Sequence, residues 1–431
     1  MSETATPRPE SAQLDCPSCG SSITYYDVEG SEFYVCPSCH AYFQWTGEQT
    51  PKLFGKYDQA PRTPPTLPIG AVGTLFGRTY RVVGVVSRRE AKHAQFSWRE
   101  YQLFQAATGQ YAQLAEFDGH WTFIWAAGSH DDDHEEYKLA DFKLFNKYQP
   151  RVNWALGEFD WDIERDDTLH VTEHIKPPYL LVQERRGNKN EWYRGRHVGP
   201  DAVADAFQLS RSAMPPQAGT GAVQPGPGSE STSALWTLTG FVLAALLVVQ
   251  LVLVARTGKP LLSQNIQVEA DTTASAPPGT GRVLVSPSLT LDHQAALEVD
   301  LTTALSNQWL ELPVSLVNEQ TGQGFEFTKN IEFYSGVEGG ESWTEGSRNA
   351  DAVLSRVPAG RYHLNFYPFT EAGPAAPGID VRVTADPPLW SNFFIVLLLL
   401  LIYPTWQFFR RANHENQRWS ASDYNPYTAS E

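Results

Sequence analysis

The sequence contains few cysteines and no excess of positive charge. Its four cysteines all lie between Cys16 and Cys39, so disulfides cannot hold the rest of the chain together. Lys and Arg number 33 against 49 Asp and Glu, which gives a formal net charge of −16. Because nucleic-acid binding requires a basic surface opposite the phosphates, this balance argues against a DNA- or RNA-binding protein. The cysteine-rich segment itself contains no Lys or Arg, so it offers phosphates no partner.

Two long apolar runs are free of charged residues. Residues 235–255 read LWTLTGFVLAALLVVQLVLVA, and residues 390–409 contain IVLLLLLI flanked by aromatic residues. A helix rises about 1.5 Å per residue, so about 20 residues cross a hydrocarbon core of about 30 Å. We therefore predict two transmembrane helices at these positions.

The basic residues close to the ends of the two runs do not decide the orientation. Arg256, Lys259 and Arg382 lie on one side, and Arg410, Arg411 and Arg418 follow the second run. The chain shows no N-terminal apolar signal, which disfavours export of the residues ahead of the first run. Clustered cysteines also belong in a reducing compartment. We therefore expect both termini in the cytoplasm, with residues 410–431 as a cytoplasmic tail.

The four cysteines form two CPxC motifs. Cys16 and Cys19 make up the first motif, Cys36 and Cys39 the second, and sixteen residues separate them. This spacing is typical of a zinc ribbon, here residues 14–45, although redox-active dithiols are an alternative. Four thiolates fill all four positions around Zn²⁺, so we expect a structural rather than a catalytic zinc.

Short aromatic-rich segments alternate with turns across residues 67–208, which predicts a β-rich cytoplasmic domain, sandwich or barrel-like. The similar triplets at residues 96–98 (FSW) and 159–161 (FDW) hint at an internal duplication. A short helix is predicted to begin at Pro200. Residues 213–233, rich in Gly, Pro, Ser and Gln, are predicted to be a flexible linker.

Several motifs in this domain resemble an uncharacterised bacterial family catalogued as domain of unknown function 4178. They are residues 98–103 (WREYQL), 119–121 (GHW), 157–161 (GEFDW) and 177–180 (PPYL), and the tail residues 418–424 (RWSASDY) are similar as well. The resemblance implies an N-terminal zinc ribbon, C-terminal membrane segments and a bacterial inner-membrane location. It implies no established activity, so no catalytic residue is assigned.

Two histidine-containing segments are candidates for further metal chemistry. Residues 130–136 (HDDDHEE), from His130 to Glu136, combine ligand types, but a solvated acidic loop is the favoured interpretation. His170 and His174 have the spacing of a helical metal pair. If their segment is a strand, as its apolar alternation indicates, the two lie roughly 13 Å apart and cannot share one ion.

Other residues admit either a structural or a binding role. Residues 184–189 (ERRGNK) are interpreted as a charged hairpin turn, with contact to anionic lipid headgroups as the alternative. A set of tryptophans is expected to fill the domain core, with a ligand pocket as the alternative. These are Trp98, Trp121, Trp125, Trp154 and Trp161.

The segment between the apolar runs predicts an extracytoplasmic antiparallel β-sandwich over residues 283–386. Leu310, Leu312, Val314 and Leu316 alternate with less apolar residues, which is typical of strands with one wet face. Residues 257–388 contain seven Lys and Arg and sixteen Asp and Glu, a balance of 7 − 16 = −9. Such an acidic domain stays soluble and repels anionic lipid.

The sequence therefore predicts a mainly β, multidomain, two-pass membrane protein. We expect a non-enzymatic scaffold or sensor whose zinc-stabilised cytoplasmic part recruits a protein partner at the inner membrane. The family resemblance implies, by analogy, a role in envelope stress or maintenance. The alternative is an enzyme or small-ligand receptor in residues 67–208 that uses a second metal at residues 130–136.

Overall fold

The computed structural model is mainly β and divides into two compact units. One unit comprises the chain up to Thr232 together with the chain from Thr405 onward, and the other comprises Ser233–Pro404. The structure describes residues 11–47, 50–58, 64–128, 137–228, 231–257, 260–273, 275–370 and 378–427, apart from the side chains of 165–167.

The cysteine-rich segment contains five short strands. Only the first two form a separate sheet, because β3 to β5 join the large sheet of the first unit. The strands that flank the turn near Gly30, β2 and β3, are therefore not paired with each other. The strands are β1 (Ala12–Asp15), β2 (Ser22–Tyr25), β3 (Phe33–Val35), β4 (Ala41–Gln44) and β5 (Lys52–Lys56).

Ten further strands complete this thirteen-stranded antiparallel sheet. They are β6 (Val72–Leu75), β7 (Arg78–Glu90), β8 (Ser97–Gln105), β9 (Gln110–Phe117), β10 (His120–Ala126), β11 (Lys143–Tyr148), β12 (Pro150–Phe159), β13 (Leu169–Lys176), β14 (Tyr179–Arg186) and β15 (Lys189–Val198). Among the described residues, short 3₁₀ helices lie at Leu139–Asp141, Ile163–Thr168 and Arg211–Ala213.

The sheet closes on itself through one bent strand. Its strand order is β11-β13-β14-β15-β10-β9-β8-β7-β12, followed by β3, β4 and β5. Only Gln149 separates β11 from β12, yet β11 pairs with β13 and β12 pairs with β7. Residues 143–159 therefore join the two ends of a nine-strand series, and we call β7–β15 the barrel. This arrangement agrees with the barrel-like form of the prediction.

A large aromatic core packs against the central strands of the barrel and helix α1 (Pro200–Ala206), which starts at Pro200 as predicted. Of the five tryptophans expected in the core, Trp121, Trp125 and Trp154 are buried in it, and Trp161 packs against its edge. Trp98 is half-buried outside this core. Phe207 lies so close to β6 that a Cβ at Gly73 would stand 2.6 Å from its ring. Glycine at this position therefore lets the end of α1 approach the sheet.

The linker before the first apolar run, predicted over residues 213–233, packs against the barrel. Val223 is buried, the Ala218 amide donates to the Asp118 carbonyl at 3.0 Å, and Gly119 faces the backbone of Pro216. These contacts depart from the flexible linker that the composition predicts over residues 213–233. Gly and Pro allow close approach between two backbones here, which composition cannot distinguish from mobility.

The second unit contains two antiparallel sheets that share one apolar core, so the predicted sandwich layout is seen in its strands. Strand β16 extends the domain upstream of the predicted start at residue 283. One sheet has the order β16-β26-β19-β23; the other is β17-β24-β20-β21-β22, with β18 on β24 and β25 on β20. The strands are β16 (Leu262–Ile266), β17 (Leu284–Val285), β18 (Leu289–Leu291), β19 (Ala295–Thr303), β20 (Gln308–Asn318), β21 (Gly324–Glu338), β22 (Glu341–Ser347), β23 (Asn349–Val357), β24 (Gly360–Phe366), β25 (Phe369–Thr370) and β26 (Ile379–Ala385).

Two helices contain the apolar runs, α2 (Thr232–Arg256) and α3 (Trp390–Ser420). Both are long and apolar enough to cross a membrane, and only 11% and 6% of their most apolar windows is buried within the protein. Large apolar side chains such as Phe241 and Leu398 are exposed. Helix α3 continues eleven residues beyond the predicted end at residue 409, because the polar residues that follow the apolar run are helical too.

Two glycines with positive φ allow the close approach of strand β12 to strand β7 to be tested. At Gly157 in β12 (φ 97°) a Cβ would lie 2.8 Å from the Gly84 Cα and nearer still to the Val83 carbonyl oxygen. At Gly187 (φ 56°), in the predicted charged hairpin turn between β14 and β15, a Cβ would meet no atom.

We expect Gly157→Ala to destabilise the protein by roughly 3 kcal/mol or more, because backbone strain and overpacking add. Gly187→Ala should cost only about 1 kcal/mol, from strain alone. Denaturant titration of the two variants in detergent measures both values. Equal losses would contradict the close strand approach at Gly157.

Candidate metal centre and its junction with the barrel

The two CPxC motifs fold into matching tight turns. The Gly20 amide donates to the Cys16 carbonyl and the His40 amide donates to the Cys36 carbonyl, each at 2.9 Å. Gly20 (φ 72°) and His40 (φ 59°) both adopt the left-handed conformation that ends each turn. His40 therefore has a backbone role equivalent to that of Gly20.

These turns bring the four sulfur atoms together. All four Sγ atoms lie within 4.8 Å of one another, the only such group of metal-binding side chains among the described residues. Cys16 Sγ lies 3.7 Å from Cys39 Sγ, and Cys19 Sγ lies 3.8 Å from Cys36 Sγ. A tetrahedral ion with bonds to sulfur of about 2.3 Å separates its ligands by about 3.8 Å. The cluster therefore fits a metal ion.

The surroundings of the thiols differ. Burial raises the pKa of Cys16 to about 12 and also raises that of Cys36, whereas hydrogen bonding to Ser21 lowers the pKa of Cys19 to about 6. Buried thiolates need a nearby positive charge. A divalent cation in the cluster would supply that charge, and its binding would then be coupled to folding of the turns.

The cysteine-rich segment is joined to the barrel by strand pairing. Phe33, Tyr34 and Val35 of β3 pair with the end of β12, at Phe159, Glu158 and Gly157. The second CPxC motif follows β3 directly. The metal centre and the barrel therefore share one sheet.

Buried carboxylates reinforce this junction. Glu158 Oε1 accepts hydrogen bonds from the amides of Tyr26 at 2.7 Å and Asp27 at 3.4 Å. The Tyr111 hydroxyl, on β9, donates to Asp27 Oδ2 at 2.5 Å, and the Gly30 amide donates to Asp27 Oδ1 at 3.0 Å. The turn between β2 and β3 is thereby held by two barrel strands.

Burial raises the pKa of Glu158 to about 7 and that of Asp160 to about 6, and Asp27 adds to both shifts by charge repulsion. The junction was not predicted from the sequence. Glu158 and Asp160 do fall inside the motif GEFDW that contributes to the family resemblance. The only sequence signal for the junction was the presence of these two acidic residues in an otherwise aromatic motif at the end of β12.

The other predicted metal candidates do not form a site in the described structure. Residues 130–136 lie outside the described residues. His170 and His174 lie on strand β13, as the apolar alternation predicts. His170 is exposed and contacts Gln149 Nε2 at 2.7 Å, whereas His174 packs against Trp192.

A second group of polar and aromatic side chains lies on the barrel. The Tyr148 hydroxyl donates to Glu173 Oε1 at 2.8 Å, and the Trp98 ring stands edge-on to Tyr148 at 5.3 Å. Trp98 Nε1 and Arg88 Nε both donate to Glu100 at 2.7 Å. Burial raises the pKa of Glu173 to about 7.

One comparison with known proteins finds a family similar to part of the chain. Residues 68–200, which include the barrel, match the family described as "Domain of unknown function (DUF4178)". None of the curated proteins matches the sequence. This agrees with the family resemblance of the motifs in the barrel, and the family description names no activity.

Solved structures show only remote similarity. A structure of the infectious bursal disease virus Gt strain is 9% identical, over 87% of this chain and 70% of that chain, with a TM-score of 0.18. The exo-β-1,3-galactanase from Phanerochaete chrysosporium is 8% identical, over 87% of this chain and 95% of that chain, with a TM-score of 0.17. TM-scores this low support neither a common fold nor a common function.

For the metal centre, we expect Cys36→Ser to remove nearly all bound metal from the purified chain, because three thiolates leave a buried ion incompletely coordinated. Elemental analysis by mass spectrometry measures the metal content. The matched control is Ser38→Ala in the same turn, because its side chain is exposed and the variant keeps the backbone amide that donates to Cys36 Sγ at 3.4 Å. Undiminished metal in Cys36→Ser would refute the four-thiolate site.

For the junction, we expect Glu158→Gln to stabilise the protein at pH 8 by roughly 5 °C in Tm relative to the parent chain. The pKa of Glu158 is raised on folding from 4.5 to about 7. Its stabilising contribution is therefore complete below about pH 4.5 and is lost as the pH rises through 7. Gln keeps an acceptor oxygen without the charge.

Thermal melts between pH 4.5 and 8 measure this difference. The control is Glu29→Gln, an exposed carboxyl in the same turn. Parallel pH profiles for the parent chain and Glu158→Gln would contradict the buried junction.

Proposed function

We propose that this protein is a two-pass integral protein of the bacterial inner membrane that acts as a non-enzymatic scaffold or sensor. A structural Zn²⁺ stabilises its cytoplasmic part, which recruits a protein partner. The observation that carries the proposal is the pair of apolar helices whose large side chains point away from the protein.

The exposure of α2 and α3 supports a membrane location. A helix in the core of a soluble protein hides its apolar side chains, whereas these two leave theirs exposed along the length of the apolar runs. Trp390, Tyr403 and Trp406 lie near the ends of the second run, where aromatic rings prefer the membrane interface. Pro404 lies in the last turns of that run, where one lost hydrogen bond is tolerated.

The thiolate cluster supports zinc and a cytoplasmic location. Four sulfurs at tetrahedral spacing suit Zn²⁺, and a complete thiolate shell leaves no position for a water or substrate. Reduced thiols persist in a reducing compartment. Because the tail from Thr405 belongs to the same unit as the metal centre, both termini are proposed to be cytoplasmic.

The two-sheet domain between the helices is then proposed to lie outside the membrane, where it senses or anchors. Its acidic balance keeps such a domain soluble and away from anionic lipid. The partner of the cytoplasmic part is proposed to be a protein, and the family resemblance points by analogy to envelope stress or maintenance.

A small-ligand receptor or enzyme in the barrel is the second candidate. The group around Trp98, Tyr148 and Glu173 favours it, because aromatic rings and a carboxyl near its pKa recur in ligand sites. Metal analysis distinguishes the candidates: one zinc per chain supports the scaffold, and a second ion lost in His134→Ala supports the enzyme.

The membrane topology is tested in cells. We expect the chain to stay in membranes after alkaline carbonate washing, and a C-terminal tag to resist protease in intact spheroplasts. A tag inserted at Gly322, in the turn between β20 and β21, should be digested. A carbonate-soluble chain, or a C-terminal tag cut from outside, would overturn the proposal.

A further inference from the structure

The end of helix α3 is buried in the first unit. Arg418 is 0% exposed and Trp419 is 3% exposed, although both follow a stretch of polar helix. Full burial of an arginine is costly unless every donor is satisfied. The groups that contact Arg418 therefore show which segment of the chain the end of helix α3 binds.

The Arg418 guanidinium is bound by the backbone of the linker. One terminal nitrogen donates to the carbonyls of Gly221 at 2.9 Å and Ala222 at 2.6 Å. The other donates to the Gln224 carbonyl at 2.5 Å. Glu415, one turn earlier, accepts from Nε at 3.2 Å and balances the charge. The second terminal nitrogen also donates to Glu415 Oε1 at 3.2 Å, so all five N–H donors of the fork can be used.

Trp419 and the residues after it lie along strand β11. The Trp419 ring stands edge-on to Phe145 at 5.6 Å and belongs to a small apolar core with Leu180, Val182 and Val223. The Ser422 hydroxyl donates to the Phe145 carbonyl, and the Asp423 amide donates to Asn146 Oδ1 at 3.3 Å. Residues before and after the last residue of helix α3, Ser420, therefore both contact the barrel.

His120 on β10 holds the linker from the opposite side. Its Nε2 lies 3.0 Å from the Ala218 carbonyl, and its Nδ1 lies 3.1 Å from Gln217 Nε2, so both ring nitrogens have partners when the proton is on Nε2. A Cβ at Gly221 would lie 2.8 Å from the His120 ring. The linker is thereby enclosed between the barrel and Arg418.

One imidazole and one carboxylate contact the guanidinium: His414 Nδ1 lies 3.4 Å from a terminal nitrogen of Arg418, and Glu415 accepts from Nε. Burial lowers the pKa of His197 to about 4, and His120 and Arg418 add to the shift. The pKa of His414 is lowered by burial and by Arg418 as well. The lowered pKa values of His197 and His414 favour their neutral forms, which leaves the Arg418 charge to Glu415 and the three carbonyls.

We infer that residues 414–427 form a latch that fastens the linker at residues 217–224 to the barrel, with Arg418 as its central contact. Withdrawal of Arg418 leaves three carbonyls without their donors and opens the Trp419 core, so the linker becomes the mobile tether that its composition favours. Displacement of α3 therefore releases the segment that leads into α2. That this couples a membrane helix to the barrel rests on the proposed membrane location; the latch itself does not.

Hydrogen exchange of the full-length chain in detergent tests the latch. In Arg418→Ala we expect amides of residues 217–224 to exchange roughly tenfold faster or more, because the carbonyl contacts that hold the segment are lost. Amides of β7–β10 and the metal content should stay unchanged. Asn416→Ala, an exposed position on the same helix turn, is the matched control and should behave as the parent chain.

Arg418→Lys separates the latch from general destabilisation. An ammonium carries the charge but not the fork that reaches three carbonyls, so it should speed exchange in residues 217–224 selectively and by less than alanine does. Unchanged linker exchange in Arg418→Ala would overturn the latch. If alanine loosens the whole barrel, Arg418→Lys decides: selective linker exchange supports the latch, and parent-like exchange overturns it. These outcomes do not depend on whether the chain resists carbonate extraction.

Discussion

The pairing of β3 with β12 is the contact on which the architecture of the first unit depends. A cysteine-rich segment this small buries little apolar surface by itself, so it depends on its neighbours, and a metal ion held by its thiols would stabilise it further. Three residues of β3 extend the barrel sheet to the thiol cluster, and Glu158 accepts hydrogen bonds from the adjacent turn. Metal binding at the cluster would therefore also stabilise the outer strands of the sheet that contains the barrel.

Local signals in the sequence predicted the local parts of this structure. The CPxC spacing located the four thiols, the uncharged runs located α2 and α3, and Pro200 marked the start of α1. Each of these depends on residues close together in the chain. The pairing of β3 with β12 joins residues more than a hundred positions apart in the chain. The bend at Gln149 sets the registers of two strands at once. No local sequence pattern encodes either feature.

The two junctions of the barrel were missed for a related reason. Glu158 and Arg418 are charged residues in polar or aromatic surroundings, and such residues are usually exposed. Their burial is sustained by backbone groups: amides of the β2–β3 turn for Glu158 and carbonyls of the linker for Arg418. Amino-acid composition does not show which side chains will bind backbone groups. The glycines and prolines of the linker therefore predict flexibility, although the structure shows the linker bound to the barrel and to Arg418.

Two consecutive strands, β11 and β12, connect all of these features. Phe145 of β11 contacts the tail, Gln149 is the bend between the two strands, and Phe159 at the end of β12 pairs with β3. A slip of either strand by one residue would turn its side chains to the opposite face. A slip of β11 would remove Phe145 from Trp419, and a slip of β12 would remove Glu158 from the amides of the β2–β3 turn. The tail contact and the junction with the cysteine-rich segment therefore depend on the registers of two strands that a single residue joins.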